Sequence, residues 1–170
     1  MRPILTHALV SGLVLSFTLG ALLIAVFRVN AEIMLDDYPP DIKARWGPMT
    51  ARTKRQRWLA AAMFLLAILL VVSWSLETLP AFAAHEMTFV PTVAYFSVMF
   101  GTFNAFDWLV IDCGLVYWQP AFAVLPGTEG MAGYHDYRFH FRGFLIGILV
   151  VLAGSVLAAG AVLLLQRGPF

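Results

Sequence analysis

The sequence predicts an all-α membrane protein: four transmembrane helices in one bundle, with two longer loops on the cytoplasmic side. Hydrophobic residues make up 61% of the 170 positions and charged residues only 12%, and the mean hydropathy is +0.81. The apolar residues also fall into four runs of about 20, the length that crosses a hydrocarbon core of about 30 Å as a helix. Helices are required because backbone polar groups exposed to lipid must be satisfied internally.

The four runs cover residues 9–27, 59–79, 92–113 and 144–165, and they place the whole chain, residues 1–170, in a single transmembrane domain. The first run resembles a signal peptide in position, but its apolar core is too long for one. The spans are expected to be uninterrupted helices. Thr50 is predicted to cap a helix that continues into the second span.

Orientation follows from the basic residues. Nine of the eleven Lys and Arg residues lie in the segments 28–58 and 114–143, whereas Arg2 and Arg167 lie near the termini. Because cytoplasmic loops are enriched in Lys and Arg, both segments are predicted to be cytoplasmic and both termini to lie outside, in the inner (plasma) membrane.

Small residues recur at steps of about four on two of the spans, which lets helix backbones approach closely in lipid. On span one they are Ala8, Gly12, Ser16 and Gly20, and on span four Gly143, Gly147, Gly154 and Ala158. Packing within one chain, a homo-oligomer interface and the binding of partner helices in a larger complex are all compatible with this pattern.

The basic residues of the two loops are predicted to contact anionic lipid headgroups. They are Arg52, Lys54, Arg55, Arg57, Arg138 and Arg142. Nucleic-acid binding is not supported, because the run 52–57 is short and its charge is needed at the membrane.

Span three carries polar side chains at membrane depth. Asn104 and Asp107 are three residues apart and share one helical face, whereas Asp112 would lie about 140° around a regular α-helix from Asp107. A carboxylate in mid-membrane costs about 2.5–3.5 kcal/mol, so it is a functional candidate by default. A protonated Asp bonded to a neighbour and a structural salt bridge are the alternatives.

The segment 134–144 contains a carboxylate and an imidazole, Asp136 and His140, that share a side in either a strand or a helix. A carboxylate that orients a His is typical of a metal ligand or a general base. The sequence therefore gives Asp136 and His140 as candidate ligands of a divalent metal. An interfacial His with a hydrogen-bond partner is the alternative.

The polar residues that need an explanation are predicted to meet at the cytoplasmic interface and to form one pocket. Its predicted members are Asp41, Asn104, Asp107, Asp112, Glu129, Asp136 and His140. The single Cys113 excludes an intramolecular disulfide and any CxxC motif.

Three motifs resemble those of an uncharacterised family of small bacterial four-span membrane proteins. They are Tyr38-Pro-Pro-Asp41-Ile42, then Phe103-Asn104-Ala-Phe-Asp107 with Asp112 five residues on, and finally Pro126-Gly-Thr-Glu-Gly130 followed by residues 134–144. The resemblance implies a four-helix membrane bundle and supplies no activity.

Three functions remain open at this point. The pocket is expected to bind a cation or a polar lipid headgroup, and a bound metal would activate water against a lipid phosphate or ester. An oligomeric transporter or proton relay would use Asn104, Asp107 and Asp112. An accessory subunit of a larger membrane complex would need no ligand of its own.

Overall fold

The computed structural model describes residues 2–84 and 87–166. All regular structure in those residues is helical. Four helical stretches are long and apolar enough to cross a membrane: Arg2–Asp37, Ala51–Glu77, Phe89–Trp118 and Tyr137–Gln166. The predicted all-α, four-span fold class is therefore confirmed. Arg167, one of the two basic residues assigned to the termini, lies outside the described residues.

The helices extend beyond the apolar runs. In chain order they are α1 (Arg2–Asn30), a 3-10 segment (Ala31–Asp37), α2 (Pro40–Trp46), α3 (Ala51–Glu77), α4 (Pro80–Ala83), α5 (Phe89–Phe106), a π-helical segment (Asp107–Asp112), α6 (Cys113–Trp118), two 3-10 turns (Ala121–Ala123 and Ala132–His135) and α7 (Tyr137–Gln166). α3 begins where predicted, since the Thr50 hydroxyl accepts a hydrogen bond from the backbone N–H of Thr53 at 3.2 Å.

The four long helices are arranged as a row. α5 packs extensively against both α1 and α7, and α3 packs against α1. Among the described residues no comparable packing joins α3 to α7. The order is therefore α3–α1–α5–α7, and a groove is left between the two outer helices.

The small-residue stripe of span one forms the contact between α1 and α5. Ala8, Gly12, Ser16 and Gly20 are all buried. A Cβ atom on Gly12 would lie 2.7 Å from the carbonyl oxygen of Met99 on α5, so only glycine allows this approach. The stripe on span one therefore serves packing within the chain.

Polar side chains tie three helices together at the end of the bundle that holds residues 78–84 and 87–88, called here the hairpin end. His7 Nδ1 lies 2.9 Å from the Tyr95 hydroxyl, and His7 Nε2 lies 3.1 Å from the Thr78 hydroxyl. The Ser75 hydroxyl donates to that of Ser11 at 2.7 Å. Because Ser11, Ser75 and Tyr95 are fully buried, this network closes the hairpin end.

The opposite end, the loop end, carries a small core of its own. Residues 31–50 and 119–136 form this loop cap, in which Tyr38, Ile42, Leu125 and Tyr134 are buried together. The Tyr38 hydroxyl donates to the carbonyl of Ala123 at 2.7 Å. Burial raises the pKa of Tyr38 well above its ordinary range. The two long loops are thus one packed unit.

Glu32 joins the loop cap to α3, a role that the sequence did not predict. Its carboxylate accepts from the backbone N–H of Thr50 at 2.7 Å and from the hydroxyl of Thr53 at 2.6 Å. The first turn of a helix has N–H groups without intrahelical partners, and a carboxylate there is favourable. Glu32 therefore fixes the point at which α3 begins.

Candidate functional site: an amphipathic cleft at the loop end

A cleft of about 780 Å³ occupies the groove between α3 and α7 at the loop end. α1 and span three form its base, and the loop cap covers its end. The side chains that carry its chemistry are Leu19, Leu23, Phe27, Phe64, Phe103, Asn104, Asp107, Trp108, Asp112, Phe139, His140, Arg142, Phe144 and Ile146, together with Asp36, Asp37, Tyr38 and Gln119 from the cap side. The cleft is therefore a continuous space shared by all four spans.

The deep part of the cleft is apolar. Leu19 and Leu23 of α1, Phe64 of α3 and Phe103 of α5 line it. Leu19 lies eleven residues before the end of α1, which is about 16 Å along the axis at 1.5 Å per residue. Half of a hydrocarbon core of about 30 Å is about 15 Å. The cleft, including its polar end, thus reaches about one leaflet deep.

The end of the cleft next to the loop cap is polar. Asp37, Asp107 and Asp112 present carboxylates to it, and His140 and Arg142 present basic groups. The cleft therefore changes from hydrocarbon-like to charged along its length.

His140 is held by Asp112. Its Nδ1 lies 3.1 Å from Asp112 Oδ1, and both side chains are largely shielded, with 14% and 25% of their surface exposed. At this distance the two side chains form an ion pair when the imidazole is protonated. A His oriented by a carboxylate is thus present, but the predicted partner was wrong.

Asp136, the predicted partner of His140, caps α7 instead. Its Oδ1 accepts from the backbone N–H groups of Arg138 at 3.0 Å and Phe139 at 3.1 Å. Those N–H groups belong to the first turn of the helix, where an Asp just before the helix is strongly favoured as their acceptor. The Phe139 N–H is shared with the backbone carbonyl of Asp136, also at 3.1 Å. Asp136 is exposed and does not line the cleft.

A π-helical segment brings Asp107 and Asp112 to the same cleft. The backbone N–H of Cys113 donates to the carbonyl of Trp108, five residues earlier rather than four. One turn of such a segment takes up an additional residue, so residues five apart come close to alignment. Span three is continuous from Phe89 to Trp118, as expected. The expectation of two acids about 140° apart assumed a regular α-helix and was therefore wrong, and no local sequence pattern indicates the wider turn.

Asn104 connects span three to α7. Its side-chain amide donates to the carbonyl of Phe144 at 3.2 Å. A Cβ atom on Gly147 would clash with the Asn104 side chain. The small residue at 147 therefore admits a polar contact at membrane depth, beside the acids of the cleft.

Two other predicted pocket residues lie outside the cleft. Asp41 Oδ2 accepts from the backbone N–H of Gly133 at 2.9 Å and so joins the two loops. Glu129 accepts from the backbone N–H of Gly127 at 3.0 Å in an exposed turn. This hydrogen bond lowers the pKa of Glu129. Both carboxylates have local structural roles.

The basic residues predicted to contact lipid headgroups separate into two groups. Arg142 lines the cleft, whereas Arg52, Lys54, Arg55, Arg57 and Arg138 are exposed at the loop end. Arg57 forms an ion pair with Asp36. A second groove of about 660 Å³ lies beside Lys43, Lys54 and Arg57.

The predicted metal set is not assembled. Across residues 2–84 and 87–166, no three His, Cys, Asp or Glu side chains are grouped so that they hold a metal ion. His140 has one carboxylate within 4 Å, and Asp136 is engaged by the backbone. The geometry therefore gives no support to a divalent metal on Asp136 and His140.

The sequence also missed several residues of the site. Trp108 stacks on Phe144 with ring centroids 4.9 Å apart and contacts Phe141 at 5.3 Å. Gln119 ends α6 in a left-handed conformation, at φ 42°, and lines the polar end. Aromatic residues near a membrane boundary have an ordinary interfacial explanation, so nothing in the sequence set these apart.

Comparison with known proteins adds no assignment, since neither a family model, nor a curated protein, nor a solved structure matches the chain.

Proposed function

We propose that this protein binds an amphiphile in the cleft, with the polar headgroup at the acid and histidine end and the hydrocarbon chain along the apolar part. The observation that carries the proposal is the change of lining along a single cleft of about 780 Å³. A water-soluble ligand would leave Leu19, Leu23 and Phe64 in contact with water, which is unfavourable. A purely apolar ligand would leave the carboxylates unpaired.

The access route supports the same proposal. Ile146 lies at one wall, on α7, and Phe64 lies on α3. Extensive packing between these two helices is absent from the described residues, so a lipid chain is able to enter sideways from the bilayer. Lateral entry suits a ligand that is already dissolved in the membrane.

The cellular setting is part of the proposal. The excess of Lys and Arg in residues 28–57 and 138–142 favours a cytoplasmic loop end. The ligand would then come from the cytoplasmic leaflet of a bacterial inner membrane. The resemblance of three motifs to those of small four-span bacterial membrane proteins would suit that setting.

Binding is favoured over conduction by the packing of the hairpin half. Phe96 and Met99 of α5 are fully buried, and they lie along α5 between Asn104 and Tyr95, which belongs to the polar network at His7. A polar track across the membrane would have to pass these side chains. The accessory-subunit role stays a prediction, which co-purification of a partner would test.

A pair of matched variants tests the proposal. Leu23→Trp adds a large ring inside the cleft, whereas Leu9→Trp adds the same ring to the exposed, lipid-facing side of the same helix. Native mass spectrometry of protein released from mild detergent is expected to show one retained amphiphile per chain in the wild type and in Leu9→Trp, and none in Leu23→Trp. Equal retention in the two variants would contradict a cleft-bound ligand.

A further inference from the structure

We infer that the headgroup of the ligand carries a positively charged amine. This inference rests on the proposed function, because it assigns the chemistry of a ligand already placed in the cleft. It is carried by the charges that the cleft presents and by how few of them are balanced within the protein.

The carboxylates outnumber the basic groups at the polar end. Asp36 is neutralised by its ion pair with Arg57, which leaves Asp37, Asp107 and Asp112 facing His140 and Arg142. Lys43 adds one positive charge beside this end, since its Nζ lies 3.1 Å from the Asp36 carbonyl and 5.9 Å from the centroid of the Phe139 ring. The excess is then one negative charge with His140 neutral and none with it protonated. The polar end is therefore negative while the imidazole is neutral.

Three carboxylates share the polar end of the cleft. A π-helical turn brings Asp107 and Asp112 to it, and Asp37 approaches from the 3-10 segment that follows α1. Asp112 has His140 as its partner, whereas the side-chain carboxylate of Asp107 has no hydrogen bond or ion pair within residues 2–84 and 87–166. A partly desolvated carboxylate is costly without a counter-charge. An ammonium group on the ligand would supply it.

Aromatic rings at the same end suit an ammonium group. Trp108 and Tyr134 line the cleft together with the acids. The ring of Phe139, which also lines it, already has the Lys43 ammonium 5.9 Å from its centroid. Ring faces attract cations within about 6 Å, and a carboxylate next to such rings adds charge to that attraction. A sulfate or phosphate without an amine would meet Arg142 but would be repelled by the carboxylates.

Three radiolabelled probes share one dodecyl chain and differ only in the headgroup, so they distinguish the contribution of the headgroup to binding from that of the chain. They are dodecyltrimethylammonium, dodecyl maltoside and dodecyl sulfate. Their binding is measured on the full chain in nanodiscs of digalactosyldiacylglycerol, a neutral lipid without an amine, so that the bilayer does not compete. Leu23→Trp nanodiscs define the background. We expect the ammonium probe to bind at least tenfold more tightly than the maltoside.

The paired substitution Asp107→Asn with Asp112→Asn is expected to remove most of that tenfold preference and to leave maltoside binding unchanged. Asp136→Asn, which keeps the α7 cap and lies outside the cleft, is the matched control and should bind like the wild type. The headgroup comparison on the wild type needs no variant, so the inference is tested even if the double variant fails to fold.

The outcomes separate this inference from the proposed function. If the three probes bind equally, or the sulfate binds most tightly, and this binding is lost in Leu23→Trp, the inference of an amine headgroup is wrong. The proposed amphiphile site would then still stand. If no probe shows binding that depends on Leu23, both proposals fail.

Discussion

Replacing Gly12 by alanine is expected to force α1 away from α5. The new Cβ atom would lie 2.7 Å from the carbonyl oxygen of Met99 and 2.7 Å from Cβ of Thr102. Ordinary contact begins at 3.4 Å, so the two helices must separate by about 0.7 Å over a contact that includes backbone. Overpacking of this kind costs about 1–3 kcal/mol, and the better helix propensity of alanine returns at most about 1 kcal/mol. We therefore expect a net loss of about 1–2 kcal/mol.

Gly154→Ala is the matched control, because its Cβ would meet no atom within 4 Å. Unfolding of detergent-solubilised protein, followed by circular dichroism with increasing SDS, is the assay. Gly154→Ala should be as stable as the wild type or up to about 1 kcal/mol more stable. If Gly12→Ala and Gly154→Ala unfold at the same SDS concentration, the close approach of α1 and α5 at Gly12 is refuted.

Three further predictions concern the loop end. Because burial raises the pKa of Tyr38, its contribution to stability is present below about pH 10 and is lost as the pH rises above that value. Tyr38→Phe should therefore flatten this alkaline decline in thermal melts. At pH 7 the same variant should be less stable by about 1–2 kcal/mol, because it loses the hydrogen bond to the carbonyl of Ala123. Glu32→Ala should cost about 1–3 kcal/mol in the same melts, since it leaves the Thr50 N–H without its acceptor, and Glu32→Gln should cost less; equal losses would contradict the hydrogen-bonding role. Asp136→Ala should cost about 0.5–2 kcal/mol as a lost helix cap without a change in amphiphile binding, and reduced binding would show that Asp136 serves the cleft.

The spans were predictable from the sequence because membrane helices require long apolar runs, and the chain has four of them. The small residues of span one were predictable for a related reason, since a step of four repeats one face of a helix. Gly12 and Gly20 show this face in contact with α5.

The partner of His140 was not predictable from spacing. Asp136 is four residues from His140, but the N–H groups at the start of α7 take up its carboxylate. Asp112 reaches His140 from another helix through a π-helical turn. Neither the distance between the two helices nor the wider turn can be predicted from the local sequence pattern. Likewise, Asp41 and Glu129 are acidic residues near the interface, yet their carboxylates accept hydrogen bonds from backbone N–H groups of the loops and do not line the cleft.

The central claim is that an amphiphile occupies the cleft beside Leu23. A leucine-sized photoreactive diazirine amino acid at position 23, and separately at position 9 on the lipid-facing side of α1, would leave the cleft open; the protein would be irradiated in native membranes, and the adducts would be weighed by intact-protein mass spectrometry. We predict one dominant amphiphile mass at position 23 and the mixture of bulk membrane lipids at position 9. The same mixture at both positions would contradict a specific site.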